Sequence, residues 1–319
     1  MYKLPIGALV TIAALTLQVG PAHASVYDPA TVVSSTVVLD GGEQRGVAVP
    51  CPTGQRITGG GVGTFDSVDS KLLVSGPLDE TGLTANTDDG DIARYWYAAI
   101  YNRGTTPRAY RVFALCAAFS DVIVAAKTVN VAPLSTQVSG FIMCPAGTRV
   151  VGGGIGTTHP VIDRPHLRDA AWQLMHSAPL DETGTTAGTT NGDVGRFWYA
   201  ALHKFRDGPA DVYKVFALCS SSSDATVAAA SVSVPANSAR DAFVNCPAGK
   251  VVTGGGIGTP ATPLNDYLQV SGPLDATGRT VNTIDDDVAV FWYGSVFNSS
   301  LAPREYKVFA LCETVDTIL

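Results

Sequence analysis

Cys51-Pro-Thr-Gly-Gln-Arg-Ile-Thr-Gly-Gly-Gly-Val-Gly-Thr64 is the segment that determines how this chain is organised, because the chain contains it three times. The second copy reads Cys144-Pro-Ala-Gly-Thr-Arg-Val-Val-Gly-Gly-Gly-Ile-Gly-Thr157, and the third reads Cys246-Pro-Ala-Gly-Lys-Val-Val-Thr-Gly-Gly-Gly-Ile-Gly-Thr259. The opening cysteines lie 93 and 102 positions apart. A period of this length predicts three domain-sized copies and not the thin repeats of a solenoid.

Three further motifs follow in the same order in every copy. They are a Pro-Leu-Asp turn, a Trp-Tyr pair and a closing Val-Phe-Ala-Leu-Cys segment. The tryptophan follows the proline of the turn by 19 positions each time, at Trp96, Trp198 and Trp292. Such constant spacing indicates that the shared residues mainly encode shape. Features found in a single copy are therefore better candidates for a special function.

Six cysteines fall two per copy, at matching places. Because a duplicated domain should carry its own bond, the repeat predicts the pairs Cys51–Cys116, Cys144–Cys219 and Cys246–Cys312 among the fifteen pairings that six cysteines allow. A zinc site is disfavoured, since no C-x-x-C motif occurs and two thiolates per copy are too few.

The local pattern predicts β structure throughout. Aromatic and β-branched residues alternate in short runs bounded by Gly, Pro and Asn, and the first copy shows six of them, near 32–39, 45–51, 55–62, 71–75, 94–101 and 109–116. We therefore expect an all-β protein made of three tandem copies of a small antiparallel β-sandwich, with one intradomain disulfide per copy. The glycine triplet is interpreted as a bulge or strand edge where the backbone passes close to the tryptophan.

The N-terminus predicts the compartment. An apolar stretch from Ile6 to Val19 is followed by Ala22-His-Ala24, which is typical of a secretory signal peptide over residues 1–24. We expect domains over 25–121, 122–224 and 225–319, the second with an insertion near 158–169. The formal charge of -7 and the absence of a basic run argue against nucleic-acid binding, and no segment predicts a membrane span.

Two groups of residues are candidate metal ligands. The acidic loop before the Trp strand contains Asp88, Asp89 and Asp91, which could hold calcium, although a solvated loop is the simpler interpretation. The insertion of the second copy contains His159, Asp163 and His166, whose spacing matches no known metal motif. No other cofactor is predicted.

The strand that carries the Trp-Tyr pair has two apolar faces, so the face opposite the tryptophan is either a second core or a binding surface. Exposed aromatic rings on a β-face suit carbohydrate. The candidate binding residues on this face are Tyr95, Tyr97, Tyr101, Phe197, Tyr199, His203, Phe291, Tyr293 and Phe297.

Three functions follow from these observations. The first is a secreted, non-catalytic protein that binds an extracellular polymer such as a glycan. The alternative is a structural or self-associating subunit of an extracellular or cell-surface layer. The third is a metal-dependent enzyme that uses the histidines of the second copy, which is disfavoured because no catalytic motif is present.

Overall fold

The computed structural model describes residues 29–65, 69–118, 120–132, 137–158, 172–204, 211–260 and 266–315. Within these ranges the regular secondary structure is entirely β. No helix in the described part of the chain is long and apolar enough to cross a membrane. The predicted signal peptide and residues 159–169 of the insertion lie outside the described residues.

Each copy contributes six strands, as predicted. The first copy contains β1 (Thr31–Leu39), β2 (Gln44–Pro50), β3 (Arg56–Thr64), β4 (Ser70–Leu78), β5 (Tyr95–Asn102) and β6 (Arg108–Ala117). The second contains β7 (Ile123–Val131), β8 (Gln137–Met143), β9 (Arg149–Thr157), β10 (Trp172–Leu180), β11 (Phe197–Lys204) and β12 (Asp211–Ser220). The third contains β13 (Thr226–Val234), β14 (Ser238–Asn245), β15 (Lys250–Gly258), β16 (Tyr267–Leu274), β17 (Phe291–Asn298) and β18 (Arg304–Thr314).

The strands form three six-stranded antiparallel sheets, and each sheet is shared by two copies. Sheet I has the order β1-β6-β3-β16-β17-β14, sheet II the order β2-β5-β4-β9-β12-β7, and sheet III the order β13-β18-β15-β10-β11-β8. The predicted all-β class with three antiparallel sandwich copies is confirmed, and the sheets continue from one copy into the next.

Each copy is a sandwich whose two layers belong to different sheets. In the first copy, β1-β6-β3 is one layer and β2-β5-β4 is the other, and the two layers contact each other. The disulfide Cys51–Cys116 joins these layers, because Cys51 follows β2 and Cys116 lies in β6. The other two bonds are Cys144–Cys219 and Cys246–Cys312, so the predicted pairing is confirmed.

The three copies close into a ring around a pseudo-threefold axis. Strand β3 pairs with β16, β4 with β9, and β10 with β15, so every copy pairs with both of the others. The six strands that make these junctions also contact one another around the axis. The core is therefore continuous from copy to copy.

The glycine triplet allows this ring to close. A Cβ atom on Gly59 would meet the backbone of Thr253 and Gly254 of the third copy, and one on Gly61 would meet the backbone of the neighbouring strand β16. A Cβ on Gly60 would lie 2.5 Å from the ring of Trp96. The ladder between β3 and β6 shifts register next to Gly59, so both the predicted bulge and the close approach to tryptophan are confirmed.

Candidate functional site

The nine predicted binding residues lie on the face of β5, β11 and β17 that is opposite to the tryptophans, and this face is mostly covered. Tyr97 and Tyr293 are only 6% and 8% exposed, and the other seven are partly buried. Tyr199 packs edge-on against His176, with ring centroids 4.5 Å apart. The nine residues therefore do not form one continuous open row. Tyr293 lines a groove in sheet I, whereas His203 and Phe297 line a cavity at one end of the axis.

The loop between β4 and β5 reaches across to the second copy and pairs with the free edge of its first strand. The amide of Gly90 donates to the carbonyl of Val124, and the amide of Val124 donates to the carbonyl of Asp91. The corresponding loops of the second and third copies make the same pair of bonds to Val227 and Val32. Each loop thus occupies backbone groups that an edge strand would otherwise expose.

The acidic side chains of this loop take part in the same junction. Asp88 accepts a hydrogen bond from Lys214 Nζ at 2.7 Å, Asp89 accepts one from the amide of Ala126 at 2.6 Å, and Asp91 accepts one from the amide of Asp88 at 2.6 Å. The three carboxylates thus have three different donors. Within the described residues there is no group of three His, Cys, Asp or Glu side chains arranged to hold a metal ion.

A cation from the next copy fills each loop. Lys214 lies in β12 and donates to the carbonyl oxygens of Ala85 and Thr87, at 2.8 and 3.0 Å, as well as to Asp88. Lys307 binds the loop of the second copy in the same way. Arg111 binds that of the third. The Lys214 side chain is only 7% exposed, whereas that of Asp88 is 69% exposed, so the lysine lies inside the junction and the carboxylate faces the solvent.

We expect Lys214→Met to lower the free energy of unfolding by about 2 kcal/mol, because the buried carbonyl of Thr87, the carbonyl of Ala85 and the carboxylate of Asp88 lose a charged donor. Lys214→Arg should retain most of the stability, since arginine occupies the equivalent position as Arg111 in the first copy. Urea unfolding followed by tryptophan fluorescence measures both variants. Equal losses for methionine and arginine would show that the cation is not what stabilises the junction.

The structure describes two of the histidines that were predicted for a metal-dependent enzyme, His176 and His203. Of these, His176 is packed in the interior. His176 is 2% exposed, and burial lowers its pKa to about 3, so the ring is neutral. Its Nδ1 faces the amide of Thr259 and its Nε2 faces Thr186, both at 3.5 Å, between the second and third copies. His203 lies in the axial cavity described below. His159, Asp163 and His166 lie outside the described residues.

One candidate for a polymer-binding site is a groove of about 310 Å³ on sheet I, between the first and third copies. Phe243, which is 49% exposed, packs against Tyr293 with ring centroids 4.9 Å apart. Phe65 of the first copy contributes a second ring, over which Arg111 lies at 4.8 Å. We call this the sheet I groove. Its lining is completed by Thr64, Asp241, Leu274, Gly278, Arg279, Thr280 and Val281.

Polar groups lie beside these rings. Asp241 and Arg279 are exposed and line the groove with opposite charges. Burial, aided by the negative charge of Asp241, raises the pKa of the Tyr293 hydroxyl, which therefore stays protonated at neutral pH. The groove thus combines flat apolar surfaces with both hydrogen-bond donors and hydrogen-bond acceptors.

The sheet I groove has no exact counterpart in the other copies. Position 243 is phenylalanine also in the second copy (Phe141), but it is alanine in the first (Ala48). The positions equivalent to Phe65 are Thr158 and Pro260, and those equivalent to Arg279 are Leu83 and Thr185. Sequence analysis predicted Tyr293 but not Phe65, Phe243 or Arg279. Alignment of the copies, followed by a search for residues that differ, would have identified them.

No protein-family model matches the chain, and no curated protein matches it. The function is therefore inferred from the geometry of the sites.

Proposed function

We propose that this protein is exported and that it binds an extracellular glycan, without catalysis, in the sheet I groove. The observation that carries the proposal is the pair of rings, Phe65 and Phe243, supplied by two different copies and accompanied by Asp241 and Arg279. Export is supported by the sequence pattern of residues 1–24 and by three disulfides, which persist in oxidising compartments.

The chemistry of the groove suits a sugar chain. An exposed aromatic face such as that of Phe243 can stack on the C–H face of a pyranose ring, which removes apolar surface from water. Asp241 accepts hydrogen bonds from hydroxyl groups and Arg279 donates them, so the two can fix the orientation of the sugar. Since the groove lies on the surface of a sheet, it can bind sugar units in the middle of a glycan chain.

A glycan array with the mature protein tests the proposal, and Phe243→Ala is the informative variant. The first copy already carries Ala48 at this position, so the sandwich tolerates alanine there. Loss of a stacked phenylalanine removes roughly 1.5–3 kcal/mol of apolar burial, so we expect at least about tenfold weaker binding.

Phe141→Ala is the matched control, because Phe141 occupies the same position in sheet III and is similarly exposed, at 54% against 49% for Phe243. It should leave glycan binding unchanged. The array is run with calcium and with a chelator, which separates this proposal from a calcium-dependent site at Asp88, Asp89 and Asp91. Absence of binding to any glycan, or an equal loss in both variants, would contradict the proposal.

A second candidate function is self-assembly into an extracellular layer, and one observation favours it. The strand β8 is a sheet edge, and it exposes Phe141 and Met143, which are 54% and 58% accessible. An apolar edge of this kind can pair with another copy of the chain. Size-exclusion chromatography with light scattering would detect such assembly, and Met143→Lys should abolish it.

A further inference from the structure

The second large cavity lies at one end of the pseudo-threefold axis, where β4, β10 and β16 begin. Its volume is about 370 Å³, within the range of small-molecule sites. All three copies line it: Lys71 and Arg103 from the first, Gln173 and His203 from the second, and Tyr267, Phe297 and Ser299 from the third. We call it the axial cavity.

The axial cavity is a place where the three copies stop being alike. Lys71, Gln173 and Tyr267 occupy one equivalent position, six residues before the proline of the turn. His203 and Phe297 occupy another, where the first copy has Tyr101. At the centre of the axis, several equivalent positions carry the same residue in all three copies, for example Ser75, Ser177 and Ser271. Different side chains at equivalent positions convert a symmetric axis into an asymmetric site.

Two cations converge in this cavity. The Lys71 Nζ lies 5.1 Å from the centre of the Tyr267 ring, and the Arg103 guanidinium carbon lies 5.2 Å from the same centre. Tyr267 is in turn stacked on Phe297, with centroids 5.0 Å apart and an interplanar angle of 14°. The rings attract both cations through their π-faces and hold them in one region.

Hydrogen bonds and ion pairs orient the arginine further. Arg103 donates from its guanidinium to the Tyr267 hydroxyl, and its side chain lies 3.9 Å from the carboxylate of Asp69. Asp266, the residue before Tyr267, is fully buried, and Arg304 and Tyr306 donate to its carboxylate at 3.1 and 2.6 Å. Arg304 thus neutralises Asp266, and Asp69 offsets part of the charge of Arg103. Lys71 and Arg103 together still leave the cavity wall with a positive character, in a protein with a formal charge of -7.

We propose that the axial cavity binds an oxyanion, either a free inorganic one or the carboxylate of a small sugar acid, between Lys71 and Arg103. The guanidinium supplies paired N–H donors that match the geometry of an oxyanion, and the ammonium supplies a compact point charge. His203, Gln173 and Ser299 add polar groups for the remainder of the ligand. The cavity is larger than one inorganic ion, which leaves room for a sugar ring. This site is separate from the sheet I groove and goes beyond the proposed glycan binding.

Titration calorimetry with inorganic phosphate, sulfate and glucuronate, at constant ionic strength, tests the proposal. We expect one saturable site per chain. Lys71→Gln and Arg103→Gln should each weaken binding by at least tenfold. Tyr267→Phe, which keeps the ring but removes the hydroxyl that orients Arg103, should weaken it less. Lys127→Gln, the same change of charge at an exposed lysine on β7, should have no effect.

The three probes distinguish the sources of the oxyanion. Binding of glucuronate alone assigns the site to sugar acids, and binding of phosphate or sulfate assigns it to free oxyanions. Chemical-shift changes centred on His203 and Phe297 in the wild-type protein would place the ligand in the cavity without any substitution. Absence of a saturable response, or an equal loss in Lys127→Gln, would overturn the proposal. Phe243→Ala should leave oxyanion binding intact, so failure of the groove proposal would not be confused with failure of this one.

Discussion

Replacement of both Cys144 and Cys219 by alanine will lower the free energy of unfolding by about 4 kcal/mol. The two cysteines are 75 positions apart, and closing a loop of that length removes much of the entropy of the unfolded chain. The bond also joins two sheets, because Cys144 follows β8 of sheet III and Cys219 lies in β12 of sheet II. Urea denaturation followed by tryptophan fluorescence measures the loss.

The number of unfolding transitions is as informative as the urea concentration at the midpoint. Since every sheet is made by two copies, loss of one disulfide should shift a single transition of the whole molecule, and Trp96, Trp198 and Trp292 should report the same midpoint. The single variant Cys144→Ala opens the same loop but keeps the Cys219 thiol, so it separates the effect of the bond from that of packing. An early transition confined to the second copy would contradict the shared-sheet architecture.

The strands and their bonds were accessible from the sequence because each copy repeats the same local signals. Alternating apolar residues, turn residues and paired cysteines predicted all six strands of each copy and all three disulfides. The fourth strand was predicted too short, as 71–75 instead of Ser70–Leu78. A Gly-Pro pair at Gly76 and Pro77 indicates a turn in isolation. Here the strand continues, because Pro77 pairs with Trp96 of β5, and the ladder to β9 is confined to Ser75.

The sharing of sheets between copies was not predicted, and there is a physical reason. The alternation of apolar and polar residues predicts a strand, but it does not indicate whether the partner strand belongs to the same copy. The relevant clue was the glycine triplet, which was assigned only to the tryptophan of its own copy. Two of its three glycines instead face the backbone of neighbouring copies, as the contacts of Gly59 with Thr253 and of Gly61 with Ser271 demonstrate.

The residues of the candidate sites were predicted only in part, for the same reason. Strand alternation selected nine residues, of which Tyr293 lines the sheet I groove and His203 and Phe297 line the axial cavity. It missed Phe65, Lys71 and Arg103, because these meet Tyr293, His203 or Phe297 only where different copies come together. The acidic loops were considered as calcium sites because carboxylates are close in sequence. In the structure, Asp88 and Asp89 bind donors from the second copy, Lys214 and the amide of Ala126.

The close approach of backbone to tryptophan predicts a large effect for one added methyl group. In Gly153→Ala the new Cβ would lie 2.5 Å from Cδ2 and 2.7 Å from Cγ of Trp198, and it would also contact the carbonyl oxygen of Phe216. Trp198 cannot move easily, because its Nε1 donates to the hydroxyl of Ser177 at 3.1 Å and the ring is 1% exposed. We expect a loss of about 3 kcal/mol, the upper part of the usual range for overpacking.

A second glycine of the same copy provides the control. Gly195 lies where the other copies have Ala93 and Ala289, and the atoms nearest to a Cβ there would be side-chain atoms of Val150 and Leu311, at 3.2 and 3.5 Å, and the carbonyl oxygen of Val150 at 3.5 Å. Gly195→Ala should therefore be neutral or stabilising by up to about 1 kcal/mol, because alanine restricts the unfolded chain. Thermal and urea unfolding of the two variants, measured side by side, compare one methyl group at two sites. If Gly153→Ala were tolerated as well as Gly195→Ala, the glycine triplet could not be required for packing Trp198 where the three copies meet.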